Sequence, residues 1–285
     1  MLRMKSPAKI NLSLAVLGRK GHYHQVEMVM TTLDLSDYVT LSISEAAHRK
    51  INIKSTNILL PTNKDNIAFK AADVFLNHFK LDLEVNINIE KNIPVAAGLA
   101  GGSSNAAAVL KGLRKLTNVD CSLDLLCKLG AKVGSDVPFC IVGQTALATG
   151  RGEVITPIKS MVPCWAIVVN PRLSISTSDV YSAFRLQNVN PIETNNMLNA
   201  IENQNFSEIC NQLENHLESV TIKKVPQIVT IKEALITAGA NGVLMSGSGP
   251  TVFALIYTEK KAIAIYNHIK SIFPSYLVHL TRVLT

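Results

Sequence analysis

Apolar and polar residues alternate from position 8 to 17. Ile10, Leu12, Leu14 and Val16 fall on one side, and Lys9, Asn11 and Ser13 on the other. A period of two is that of a β-strand, here expected to be half-buried with a polar row. Residues 39–43 and 85–89 repeat the alternation. The period lengthens over residues 66–80, where Ile67, Ala71, Val74, Phe75 and Phe79 share one helical face. An alanine-rich helix is expected over 103–116 and another over 122–133. Pro157 and Pro163, with Lys159 and Ser160 between them, break the pattern and mark a crossover. Beyond it come a strand at 165–169, helices at 206–217 and 226–238, and a strand, turn and strand across 243–257. A helix from Glu259 and a strand at 276–283 follow. Strands and helices mix without regular βαβ alternation, so the expected class is α+β in two lobes, residues 1–160 and 161–285.

Composition narrows the function. At 285 residues with 47% apolar and 17% charged side chains, the chain is neither disordered nor in need of disulfide staples. No run reaches the ~18 apolar residues of a membrane span. Arg3, Lys5 and Lys9 precede a short apolar stretch, but Asn11 and Ser13 interrupt it, and no small-residue cleavage site lies there. The five cysteines are odd in number and form no CxxC pair, which fits a reducing cytoplasm. The net charge is +7. Residues 1–160 carry 19 basic and 13 acidic side chains, and that excess suits an anionic ligand as well as ordinary solubility.

One segment carries more information than any other: Pro94, Val95, Ala96, Ala97, Gly98, Leu99, Ala100, Gly101, Gly102, Ser103, Ser104 and Asn105. It follows a strand and opens a helix. Small residues let the backbone approach a ligand closely, and Gly98, Gly101 and Gly102 permit positive φ. Free N–H groups at the helix start attract an anion, and Ser103 or Ser104 is available to cap it. The pattern is neither a Walker A loop nor a dinucleotide fingerprint. A tight structural turn is the plain alternative; so many small and hydroxyl residues favour a phosphate cradle.

This segment resembles the second motif of the GHMP kinases. Two more motifs agree in order: Pro7, Ala8, Lys9, Ile10, Asn11 and Leu12 on the opening strand, and residues 244–253, which include Gly247, Ser248 and Gly249. The resemblance covers nearly the whole chain. It implies a ribosomal protein S5 domain 2-like N-terminal lobe that binds ATP and performs catalysis, and a ferredoxin-like C-terminal lobe. It also implies ATP as phosphate donor with Mg²⁺ beside it, and a small-molecule alcohol as acceptor.

The residues fit phosphoryl transfer, which needs an aligned hydroxyl, a neutralised phosphate and a place for the proton. Asp136, between Gly134 and Pro138, is the proton-handling candidate, and Lys9 its natural partner; an ordinary ion pair is the alternative reading. The resemblance assigns catalysis to these two and places Asn11 beside the substrate. Tyr23 and His24 match a family pair that holds a cytosine, and Tyr181 and Thr177 fall at its second aromatic and a substrate-contacting hydroxyl. Read as an aromatic in a loop, Tyr181 is alternatively a core anchor. The family's usual glycine before Tyr23 is His22 here. Asn66 is either an adenine-side residue or a helix cap. Metal ligands are not legible, although Ser104 is available by analogy. The acceptor is then a cytidine-diphosphate compound. Another kinase of the family, or an inactive or RNA-binding relative, is the alternative. The absence of basic residues interleaved with aromatics on any strand argues against nucleic acid as partner.

Overall fold

A computed structural model describes residues 1–21 and 23–285; the departure at His22 lies outside the described residues. In chain order the elements are β1 (Leu2–Lys20), β2 (Tyr23–Glu45), β3 (Lys50–Ser55), α1 (Ile67–Phe79), β4 (Leu83–Glu90), α2 (Gly101–Thr117), α3 (Leu123–Val133) and α4 (Val137–Val142). Then follow β5 (Thr145–Thr149), β6 (Val154–Pro157), β7 (Trp165–Asn170), α5 (Thr177–Ala183), α6 (Thr194–Glu202), α7 (Phe206–Asn211), β8 (Glu214–Asn215) and α8 (Glu218–Lys224). The chain closes with α9 (Gln227–Thr237), β9 (Gly242–Met245), β10 (Val252–Ile256), α10 (Glu259–Ile272) and β11 (Leu277–Arg282). The class is α+β, as the pattern implies.

Contacts divide the chain into two compact units that interleave in sequence. The first comprises Met1–Ala8, Ser36–Ile93 and Ala100–Gly143; the second comprises Lys9–Leu35, Pro94–Leu99 and Gln144–Thr285. In the first, the C-terminal half of β2 pairs antiparallel with β4, Val39 opposite Ile89, and β4 pairs parallel with β3. Helices α1 to α4 pack together beside these strands. The fit is close: a methyl on Gly112 of α2 would collide with the Leu41 side chain. Asn66 caps α1, its Oδ1 accepting from Ala68 N at 2.9 Å while its Nδ2 donates to the Pro61 carbonyl at 2.7 Å. Ser122 caps α3.

In the second unit, the N-terminal half of β2 pairs with β5, and β5 with β6. Strand β1 takes β8 as a parallel neighbour, Ser13 opposite Glu214. A separate four-stranded sheet runs β11-β7-β10-β9, all neighbours antiparallel. Every residue of β10 is buried, as suits a central strand covered on both faces.

Three local expectations change. The polar row of β1 is not solvated: Lys9, Asn11 and Ser13 are as buried as the apolar residues between them. The alternation therefore marks two buried faces, one apolar and one polar. The helix expected over 206–217 ends at Asn211, and β8 follows it. Tyr181 sits on α5, not in a loop, with Ser176 as the cap.

Candidate active site

A buried lysine must find oxygen partners or lose its charge. Lys9 is 4% exposed, and its Nζ lies 2.5 Å from Asn11 Oδ1. The backbone N–H of Lys9 donates to the Leu99 carbonyl at 3.1 Å, so β1 is tied directly to the glycine-rich segment. A third piece joins them. The turn between β9 and β10 brings Ser246 Oγ to the Gly98 carbonyl at 2.9 Å. A methyl on Gly247 would stand 3.1 Å from that same carbonyl and 3.3 Å from Lys9 Nζ. The second unit thus gathers Lys9, Asn11, residues 94–99 and the Ser246–Gly249 turn, parts of all three sequence motifs.

The backbone of the segment explains its composition, though not as the sequence reading assigned it. Gly98 has φ +73°, and a side chain there would run into the Ser246 carbonyl. The other left-handed positions are Ala96 and Ala100, both at φ 52°. Gly101 and Gly102 are helical, because α2 begins at Gly101; they are small for packing reasons. A methyl on Gly101 would lie 3.0 Å from both Lys91 Nζ and Ile93 Cγ2, and one on Gly102 3.2 Å from Ile67 Cγ2. Neither Ser103 nor Ser104 caps the helix. The cap position is Ala100, which supplies no side-chain acceptor. The first N–H groups of α2 are thereby left to a ligand or water, and the helix dipole adds to their attraction for an anion.

The first unit holds the start of α2 and the turns beside it. Ser104 is buried and Ser103 half-buried. The turn before Asp136 packs against them: a methyl on Gly134 would lie 3.2 Å from Ile67 Cδ1 and 4.0 Å from Ser103 Oγ. Asp136 itself is half-buried and occupies the cap position of α4, with Pro138 close behind to fix the turn. Asn66, Ser103 and Asp136 therefore belong to adjoining turns of one unit.

The expected base-binding residues lie in the second unit. The rings of His24 and Tyr181 are 5.2 Å apart and tilted by 41°. Tyr181 is half-buried rather than sunk in the core. Tyr23 is 57% exposed, and one face of its ring carries the Arg151 guanidinium at 4.8 Å. Partial burial and the neighbouring Arg19 hold His24 below its ordinary pKa of 6.5, so the ring is neutral at neutral pH. Thr177 Oγ1 lies 2.9 Å from Ser248 Oγ, which ties α5 to the Ser246–Gly249 turn.

Several supporting residues escape the sequence reading. Asn215 is buried, and its Nδ2 donates to the carbonyls of Met245 and Gly247 at 2.9 and 2.8 Å. Glu218 accepts from Met245 N at 2.9 Å and pairs with Lys232. Together they hold the turn that touches Gly98. Arg151, Asp37 and Lys91 are the others. Only tertiary contact singles them out; the sole sequence signal was a charge adjoining a motif. Among the described residues no group of three or more His, Cys, Asp or Glu could hold a metal ion. No described helix is long and apolar enough to cross a membrane. None of the five cysteines, all among the described residues, forms a disulfide. Burial pushes Cys164 and Cys210 up to about 12, which suits small buried side chains without redox chemistry.

Comparison with known proteins agrees with the motifs. The family model described as GHMP kinases N terminal domain matches residues 66–144, and that described as GHMP kinases C terminal matches residues 197–275. A curated 4-diphosphocytidyl-2-C-methyl-D-erythritol kinase of Geobacillus kaustophilus is 49% identical over 270 residues, 94% of this chain and 93% of the relative. A crystal structure of 4-(cytidine 5'-diphospho)-2C-methyl-D-erythritol kinase superposes with a TM-score of 0.82 at 28% identity, with both chains fully covered. Homoserine kinase from Cytophaga hutchinsonii gives the same TM-score of 0.82 at 17% identity, over 100% of this chain and 94% of that one. That last likeness concerns the fold alone. The chain therefore belongs to the GHMP kinases, ATP-dependent small-molecule kinases, and within them it groups with the 4-diphosphocytidyl-2-C-methyl-D-erythritol kinases.

Proposed function

We propose that this chain transfers the γ-phosphoryl group of ATP to the 2-hydroxyl of 4-diphosphocytidyl-2-C-methyl-D-erythritol, in the non-mevalonate route to isoprenoid precursors. The observation that carries the reading is the convergence of Lys9, the Gly98 turn and the Ser246–Gly249 turn. The uncapped start of α2, Gly101 to Ser104, follows in sequence and is suited to receive phosphates. Pro94 to Ala100 approach them by backbone, and Asn66 holds the segment leading into α1 on the adenine side.

In the transfer, the substrate 2-hydroxyl oxygen bonds to the γ-phosphorus, the bond from that phosphorus to the β,γ-bridging oxygen breaks, and ADP leaves. The hydroxyl proton passes to Asp136, and the Lys9 ammonium offsets charge on the moving phosphoryl group. Asn11 orients Lys9 and faces the substrate. Tyr23, His24 and Tyr181 take the cytosine, an aromatic set that mevalonate or homoserine has no base to use. Thr177 offers a hydroxyl to the substrate. Mg²⁺ would need only one or two protein oxygens besides those of the phosphates, so the lack of an acidic cluster among the described residues is no obstacle. Ser104 is an oxygen donor of the right type and would hold the ion. When bound, the ion neutralises phosphate charge. Residues 1–160 are proposed as the ATP-binding and catalytic domain and 161–285 as the C-terminal domain. The working compartment is proposed as the cytoplasm.

The test is ADP release with the cytidyl-methylerythritol substrate, mevalonate and homoserine in parallel. Turnover confined to the first, inhibited competitively by CDP, is the expected result. Turnover with mevalonate or homoserine, untouched by CDP, would hand the chain to another kinase of the family.

A further inference from the structure

A carboxylate and an ammonium are buried together where the chain enters the glycine-rich segment. The Asp37 side chain is 0% exposed and that of Lys91 4%, and Lys91 Nζ sits 2.7 Å from Asp37 Oδ2. Asp37 Oδ1 accepts two consecutive backbone N–H groups, from Asn92 at 2.7 Å and Ile93 at 2.8 Å. Lys91 Nζ also donates to the Ile93 carbonyl, and Asn92 Nδ2 donates to the Ser36 carbonyl at 2.9 Å. One carboxylate thus fixes three successive residues, and Pro94 follows at once. The same ammonium lies against the start of α2, where a methyl on Gly101 would be 3.0 Å from Nζ. Burial lowers the Lys91 pKa, and the Asp37 carboxylate beside it opposes that shift.

We infer that Asp37 and Lys91 are positioning residues for ATP, a clamp that sets the residues before Pro94 and the first residue of α2 in the arrangement the phosphates need. The inference rests on the phosphate-site reading above. Neither residue need touch ATP; each acts through the backbone it holds. A buried pair of this kind contributes little to stability compared with an apolar replacement, so its presence calls for a reason in geometry.

Two variants separate this role from a merely structural one. Asp37→Asn keeps the acceptor for the two N–H groups and removes the charge that holds Lys91. Asp37→Asn with Lys91→Met removes both charges, and with them the cost of an unpaired buried ammonium. The melting temperature is expected to fall in the single variant and recover in the double. The KM for ATP is expected to rise at least tenfold in both, with the KM for the cytidyl substrate within about twofold of wild type. A folded double variant with wild-type KM for ATP would overturn the inference, as would equal losses for both substrates. Should neither variant fold, hydrogen exchange on the unaltered protein decides. Slow exchange at Asn92 and Ile93 with or without ADP, and ADP-dependent slowing at residues 95–104, supports the clamp; fast exchange at Asn92 and Ile93 refutes it. If the unaltered protein binds no ATP, the phosphate-site reading fails first, and the two failures are told apart.

Discussion

The segment around Gly98 and the ring cluster around His24 belong to one compact unit, yet they are built by opposite means. At Gly98 the groups are backbone atoms or buried side chains. Lys9, Asn11, Leu99 and Ser246 are held by hydrogen bonds of 2.5 to 3.1 Å, and a methyl on Gly98 would collide with the Ser246 carbonyl. At His24 the groups are side chains reaching outward. Tyr23 is mostly exposed, the His24 and Tyr181 rings meet at a tilt, and Arg151 leans on Tyr23. A phosphate is the same in every nucleotide and its transfer tolerates little misplacement, so a prebuilt cradle suits it. A flat base offers area and can be gripped by rings that adjust to it. The first region should fail sharply when altered, the second gradually.

The largest effect should come from the residue proposed to take the proton. Asp136→Asn is expected to lower kcat by about 10²–10⁴ with ATP binding retained. A folded variant with wild-type kcat removes Asp136 from the chemistry. Next is the cradle. Gly98→Ala forces a side chain into φ +73° and against the Ser246 carbonyl. A left-handed residue costs ~1–2 kcal/mol and overpacking ~1–3 kcal/mol. ATP affinity should therefore drop on the order of 10²-fold or more, read by calorimetry. An unchanged ATP Kd would show that the turn tolerates what the geometry forbids.

These effects also mark where the sequence was readable. Periodicity located α1, α3 and α9 to within a residue or two, because each has one apolar face and a cap or proline at its start. It placed Lys9 on a strand but put the polar row in solvent, since alternation looks the same whether the second face meets water or other polar groups. Glycine was read as a sign of positive φ. Here two alanines take that conformation while Gly101 and Gly102 are small for packing, and only the coordinates of Lys91, Ile93 and Ile67 tell the cases apart. Asn215, Glu218 and Asp37 stayed invisible because their partners, backbone groups and lysine side chains, are distant in sequence, which no local pattern announces.

On the ring side the losses should be milder. Base–aromatic stacking is worth about 1–3 kcal/mol per base, so Tyr181→Ala should raise the KM for the cytidyl substrate roughly 5- to 150-fold with kcat little changed. A fall in kcat without a change in KM would move Tyr181 away from the base. The smallest effect is one of pH. His24 is held below 6.5 by partial burial and by Arg19. Between its lowered value and 6.5 the unfolded chain binds the extra proton, so this group's contribution to stability is present above 6.5 and is lost as pH falls through that window. A bound base that uses the neutral ring adds to the same linkage. CDP affinity should be flat above about pH 7 and weaken in acid, and His24→Gln should abolish that dependence. The same acid limb in His24→Gln would assign the titration to another group.

The division of labour is tested most directly by titrating CDP and a non-hydrolysable ATP analogue separately into Gly98→Ala and Tyr181→Ala. The prediction is a double dissociation: the first variant loses the ATP analogue and keeps CDP, and the second weakens CDP and keeps the analogue. Parallel loss of both ligands in either folded variant would contradict it.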